Sequence, residues 1–326
     1  MRVQITLIGL GQIGVSIGLA LRDYKDTIER VGNDIKTENE REAHKKDAID
    51  KEVHNLLEAV RTSRLIVLSL PLKQVQETLE IISHDLKAGT VILDTAPIKN
   101  ETIQLFKNRL PEGCYHIGLV PALNPAHLHS TELGIASARG DLFNKSVFIV
   151  DVPVGVPENA VTLACDFVKL LGASPMLADP IESDGIMTSI HILPQLAGAA
   201  LLNATVDQPG WLEGRKMAGR PYASVSSGLA YHDDIESLRM AVMKNRSNTV
   251  HALDILIAGL KGMRDEIEQG DETSVGERLE AALQGHKRWL KERYEADWHG
   301  PSTKPVDIPS FTERLFGTGL VKPKQL

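Results

Sequence analysis

The sequence predicts an α/β fold, with an N-terminal doubly wound sheet and a C-terminal all-helical domain, on three observations. Residues 3–8, VQITLI, are apolar and β-branched, as befits a strand buried on both faces of a parallel sheet. Further runs of this kind recur at 64–70, 90–95, 115–120 and 146–152, most of them separated by segments with helical spacing. Beyond residue 180 the β-branched runs give way to long helical patterns. The 326 residues suit about two domains at roughly 150 residues each. The expected division is 1–180 for the sheet domain, 181–298 for the helical domain and 299–326 for a tail that packs as an arm or frays.

The first strand leads into Gly9-Leu-Gly11-Gln12-Ile13-Gly14 and then a helical segment. Strand, G-x-G-x-x-G and helix in that order form the Rossmann-type context in which the motif has a mechanism. Gly9 permits the tight turn, Gly11 lets backbone approach a pyrophosphate, and Gly14 allows close packing of helix on strand. The helix N-terminus then supplies N–H donors and a positive dipole end to the anion without any Lys or Arg. This answers the question raised by Ile5 to Leu21, which could be mistaken for a secretory signal or, at 17 residues, for a short bilayer span. Its glycines mark a dinucleotide turn instead.

The second strand, 29–34, ends in Asp34, 20 residues after Gly14, where a carboxylate accepts from ribose hydroxyls and opposes a 2′-phosphate. The expected cofactor is therefore NAD rather than NADP. Ser69, Leu70, Pro71 and Asp94 fall at strand C-terminal ends, the edge at which open α/β sheets bind ligands, and join Gln12 and Ile13 as expected cofactor contacts.

In the helical half, 184–207 is nearly uncharged and is expected to be buried all round, kinked at Pro194, with backbone carbonyls near 190 released. Its internal His191, Pro194, Gln195 and Asn203 argue against a membrane span and for an interface helix. Two further helices are expected at 234–269 and 273–298, and their apolar stripes suggest a homodimer. The balance of 36 Lys+Arg against 43 Asp+Glu, net −7, argues against nucleic acid. Cys114 and Cys165 form no CxxC pair and no zinc-spaced cluster, so no metal or disulfide is expected and a reducing cytoplasm fits.

Over roughly 1–270 the chain resembles the prephenate/arogenate dehydrogenase family of tyrosine biosynthesis. The likeness rests on GLGQIGVSIGLAL, LSLPLKQV, VILDTAPIK, IGLVPALNP, GDLFNKSVFIV and LPQLAGAAL, in that order. It implies a Rossmann domain joined to a helical dimerisation domain, a nicotinamide cofactor and a small carboxylate substrate. It also exposes departures. Where the family has a His-Pro pair, this chain has Val120-Pro121, and valine cannot accept a proton. The family's Asp-x-x-Ser-x-Lys keeps Asp94 and Lys99 but has Pro97 in place of serine, and Ile192 stands where the family has the first His of its helical motif.

Other groups must then serve. Lys99, Asn124 and His191 are the candidate catalytic residues, and Gln195, His127 and Arg246 the candidate substrate contacts, with His129 and Arg239 as neighbours. Two functions compete: an NAD-dependent dehydrogenase of this type, and a catalytically silent NAD-binding sensor or interaction protein of the same fold. A β-hydroxyacid dehydrogenase would need a lysine on a glycine-rich stretch near 170–200, which the sequence lacks.

Overall fold

The computed structural model describes residues 2–231 and 235–296. Within these the chain divides into two compact units, one running to Pro180 and resuming at Trp289, the other Ile181 to Arg288. The first unit therefore regains the end of the last helix, which sequence assigns to the helical domain. The expected tail, 299–326, and Trp298 lie outside the described residues.

The first unit opens with β1 (Val3–Ile8), the glycine turn and α1 (Gln12–Ala20). Next come β2 (Ile28–Asn33), α2 (Thr37–Lys45), β3 (Lys51–Glu52) and α3 (Leu56–Arg61). The chain continues with β4 (Leu65–Leu68), α4 (Leu72–Ile82), β5 (Val91–Asp94), α5 (Lys99–Lys107) and β6 (Tyr115–Pro121). It closes with β7 (Val147–Asp151), α6 (Glu158–Leu170) and β8 (Ser174–Ala178). The strands form one sheet in the order β3-β2-β1-β4-β5-β6-β7-β8. The reversal of order at β1 and β4 creates the crevice at which open sheets take dinucleotides. Ile5, Leu7, Leu65, Val67, Leu93, Ile117 and Val150 join Val15, Ile17, Phe143, Phe148 and Phe167 in a continuous core, each buried side chain worth roughly 1.5–3 kcal/mol.

The sheet is not wholly parallel. β7 runs antiparallel to β6, with Val120 opposite Ile149 and Gly118 opposite Asp151. A parallel return needs a crossover of a dozen residues or more, usually a helix. The 122–146 connection holds only short 3₁₀ turns, Pro125–His127 and Gly134–Ser137, so the chain comes back beside β6 from the same edge.

The second unit is helical. It contains α7 (Pro180–Met187), a π-turn Thr188–Ile192, α8 (Leu193–Thr205), α9 (Trp211–Met217) and α10 (Arg220–Ser226). These are followed by α11 (Ile235–Lys244), α12 (Arg246–Glu268) and most of α13 (Glu272–Glu295). The single helix expected at 234–269 is broken at Asn245 (φ −105°, ψ 38°). The reason is tertiary: the Asn245 amide donates to the Asp184 carbonyl (3.0 Å) and to Thr188 Oγ1 (2.6 Å), drawing the chain out of line.

Pro194 interrupts the helix ladder as expected, but by a π-turn, the register change that accommodates a missing N–H. A carbonyl near 190 takes another partner, as expected there: Gln195 Nε2 donates to the His191 carbonyl at 2.7 Å. Within this single chain the helix is not buried all round. Pro180–Thr205 is long and apolar enough to cross a membrane, yet only 28% of its apolar window is buried in this chain, and Ile190 is 66% exposed.

Candidate functional site

The C-terminal edge of the sheet carries the clearest site. β1 ends at Ile8, and Gly9 turns the chain with φ +91°, a conformation glycine adopts without strain. A Cβ on Gly9 would lie 2.2 Å from the Ser69 carbonyl, and one on Gly14 would lie 2.0 Å from the Gly9 carbonyl. Strand pairing thus brings Ser69, Leu70 and Pro71 against the turn, with Ser69 N–H donating to the Ile8 carbonyl at 2.8 Å. Gly11 differs, because a Cβ there would meet nothing within 4 Å. Gly11 is the N-cap of α1 and makes no side-chain cap to the start of this nine-residue helix. Gln12 and Ile13 begin this helix half-buried, Ile13 packing on the core. A narrow turn, an open middle glycine and a helix N-terminus are the cradle a pyrophosphate requires.

Asp34 completes it. Its Oδ2 accepts the Leu10 N–H at 2.7 Å, so the carboxylate at the end of β2 is bonded directly to the glycine turn. Oδ1 accepts from the Lys36 N–H (2.8 Å) and from Asn39 Nδ2 (3.1 Å). Behind Asp34 stands a group that sequence reasoning missed: the fully buried Glu40, whose Oε1 accepts the Asp34 N–H at 2.9 Å and whose Oε2 meets His54 Nδ1. An acidic residue in the first turn of the following helix is the only local signal for it.

Asp94 and Lys99 depart from expectation. Both side chains are 0% exposed, so Asp94 does not line the cofactor edge and Lys99 does not present its ammonium at the surface. Lys99 Nζ donates to Asp94 Oδ1 (2.9 Å) and to the Asp94 carbonyl (2.8 Å), while the Ala96 N–H also donates to Oδ1 (3.0 Å). His116, on β6, was not singled out by sequence. Its Nε2 lies 2.5 Å from Asp94 Oδ2, and its ring stacks on Phe106 with centroids 3.8 Å apart. Burial alone would raise the Asp94 carboxyl, but Lys99 and His116 outweigh it and hold the group at about 2. Burial lowers the His116 pKa, against the pull of Asp94. The ring is therefore neutral near pH 7, with Nε2–H donating to the carboxylate. Desolvating such a cluster is costly unless each charge is paired, as Asp94 and Lys99 are across the β5–α5 turn.

The remaining candidates fall into two groups. In the first unit, Asn124 caps the 3₁₀ turn after β6, with Oδ1 accepting the Ala126 N–H (3.0 Å) and Nδ2 donating to the Asp141 carbonyl (3.0 Å). His127 Nε2 lies 3.0 Å from Asp141 Oδ1, so Asp141 gathers both residues. The end of α13 secures the same loop, Arg293 donating to the Leu123 carbonyl. Val120 is buried in β6 at 6% exposure.

In the second unit, His191 and Gln195 sit together at the π-turn, and Arg246, exposed at the start of α12, follows the Asn245 that ties α12 to that turn. Gln195 Oε1 is buried without a hydrogen-bond partner. Arg239 pairs with Glu236. Among the described residues no cluster of three or more His, Cys, Asp or Glu forms a metal site.

Comparison with known proteins is in keeping with this geometry. Residues 17–177 match the family model described as prephenate dehydrogenase, nucleotide-binding domain. A prephenate dehydrogenase of Bacillus subtilis (strain 168) is 26% identical over 206 residues, 63% of this chain and 54% of that protein. One of Lactococcus lactis subsp. cremoris (strain MG1363) is 28% identical over 200 residues, 61% of this chain and 53% of that protein. The chain spans about half the length of these two curated relatives. Among solved structures, a prephenate dehydrogenase from A. aeolicus in complex with hydroxyphenyl propionate and NAD+ shares the fold. Its TM-score is 0.76 at 17% identity, covering 88% of this chain and 98% of that one. Most of the first unit thus matches a nucleotide-binding domain.

Proposed function

We propose that the chain, whose residues 17–177 match the nucleotide-binding domain of prephenate dehydrogenase, is an NAD-dependent dehydrogenase of that family. Its substrate would be prephenate, arogenate or a related small carboxylic acid. The observation that carries this reading is the Gly9–Gly11–Gly14 turn with the Asp34 carboxylate bonded to Leu10 N–H within it. When bound, the nicotinamide ring accepts a hydride. The chain's own part is to hold the pyrophosphate on the start of α1, to meet the ribose with Asp34, and to exclude a 2′-phosphate by charge.

The substrate end draws on the groups at the π-turn. Arg246 supplies an exposed cation for a carboxylate, Gln195 a hydrogen-bonding amide, and His191 the base that Val120 cannot be. Asn124 and His127 are the polar groups of the loop that follows β6. The exposed apolar residues of α12 and α13, among them Ile257, Leu260, Ile267, Leu279 and Leu283, support a homodimer through these helices. Free Cys114 and Cys165 suit the cytoplasm, where tyrosine biosynthesis would place the enzyme. The net charge of −7 gives no footprint for nucleic acid, and His191, Gln195 and Asn203 within α8 and its π-turn favour a protein interface over a membrane.

Val120 favours a second reading, a silent NAD-binding protein of the same fold. One experiment separates the two: NAD binding by calorimetry, then NADH formation followed by absorbance with prephenate and with arogenate. Binding with turnover that His191→Ala abolishes supports the enzyme. Binding with no turnover on either acid supports the silent protein, and absence of NAD binding overturns both.

A further inference from the structure

We propose that Glu40 is the positioning residue that sets cofactor choice, acting through Asp34; this rests on the NAD reading above. Three of the roughly four lone-pair directions of the Asp34 carboxylate are already occupied, by Leu10 N–H, Lys36 N–H and Asn39 Nδ2. What remains serves one ribose hydroxyl. The three donors also draw down the negative potential that alone would turn away a 2′-phosphate.

Glu40 restores it. Its carboxylate is 0% exposed, on the first turn of α2, with one oxygen on the Asp34 N–H and the other against His54, a side chain 55% exposed on the segment after β3. A neutral amide oxygen would accept the Asp34 N–H equally well. Burying a carboxylate costs more than burying an amide, and a second carboxylate immediately behind the ribose acid gives that cost a use. A doubly charged 2′-phosphate would meet two negative groups, Glu40 adding its charge to that of Asp34 even though its own oxygens also face donors. Glu40 also fixes the backbone of Asp34, so the bond to the glycine turn is set before cofactor arrives.

The test is calorimetry with NAD and with NADP on the full chain, comparing wild type, Asp34→Asn and Glu40→Gln, with thermal unfolding as the check on folding. Glu40→Gln keeps the acceptor for the Asp34 N–H and removes the charge. NAD affinity is expected to stay within about two-fold, while the ratio Kd(NADP)/Kd(NAD) falls about five-fold. Should Glu40→Gln not fold, His54→Lys at the exposed partner places a permanent cation against Glu40 and is expected to lower the same ratio. If Asp34→Asn lowers the ratio and neither Glu40→Gln nor His54→Lys does, the role of Glu40 is overturned while NAD binding stands. A wild-type chain that binds neither cofactor overturns the NAD reading and this one with it.

Discussion

Lys99 Nζ stands 2.9 Å from Asp94 Oδ1 with neither side chain reaching solvent. The lysine stem crosses Gly118, where a Cβ would lie 2.7 Å from Lys99 Cδ, so β6 gives up a side chain to let the ammonium reach β5. Lys99→Met would leave a carboxylate buried with its main cation gone and is expected to cost about 3–5 kcal/mol. The measurement is urea unfolding. A variant as stable as wild type but inactive would return Lys99 to the catalytic candidates.

The same cluster dictates a pH dependence. The folded pKa of His116 is depressed below 6.5, so the unfolded chain takes up the proton first, and this contribution to stability is lost as pH falls below about 6.5. For Asp94, held at about 2 against 3.8, about 2 kcal/mol is present above pH 3.8 and is lost as pH falls toward 2. His116→Gln keeps a donor for Asp94 but does not titrate. Its urea midpoint is expected to change less between pH 7.5 and 5 than that of wild type, and equal slopes would contradict the assignment.

Two glycines of one turn should fail in different ways. Gly14→Ala forces a methyl onto the Gly9 carbonyl at 2.0 Å, so both thermal stability and NAD affinity should fall. Gly11→Ala meets only open space, so Tm should hold within a degree or two while NAD affinity drops about ten-fold or more, because the methyl occupies the pyrophosphate's position. Unchanged affinity in Gly11→Ala would place the cofactor elsewhere.

If α12 and α13 form the dimer face, charge on it should divide the protein. Leu260→Asp combined with Leu283→Asp, both at residues exposed in this chain, is expected to convert a sedimenting dimer to monomer at micromolar concentration. Wild type running as monomer would remove the proposal.

What sequence made legible was local. Gly9 to Gly14 and Asp34 signal through spacing along one βαβ unit, and every one of them lies at the sheet edge. What it concealed depends on pairings distant in the chain. Nothing near His116 announces that strand register will set it beside Asp94, 22 positions earlier. No glycine or proline marks the break at Asn245, because the competing bonds go to Asp184 and Thr188, about 60 residues away. Pro194 predicted a disturbance but not its cure, which needed the particular length and amide of Gln195.

The reversal of β7 against β6 also bears on how such a protein changes over time. A strand that leaves and re-enters at one edge turns the stretch 122–146 into an excursion whose two ends are neighbours, so residues can be gained or lost there without rethreading the sheet or moving the glycine turn. Asn124 and His127 stand on that excursion, whereas Gly9, Gly14 and Asp34 are locked into strand ends. If Asn124 and His127 meet the substrate as proposed, its recognition can drift from one acid to another while the cofactor machinery is handed down intact.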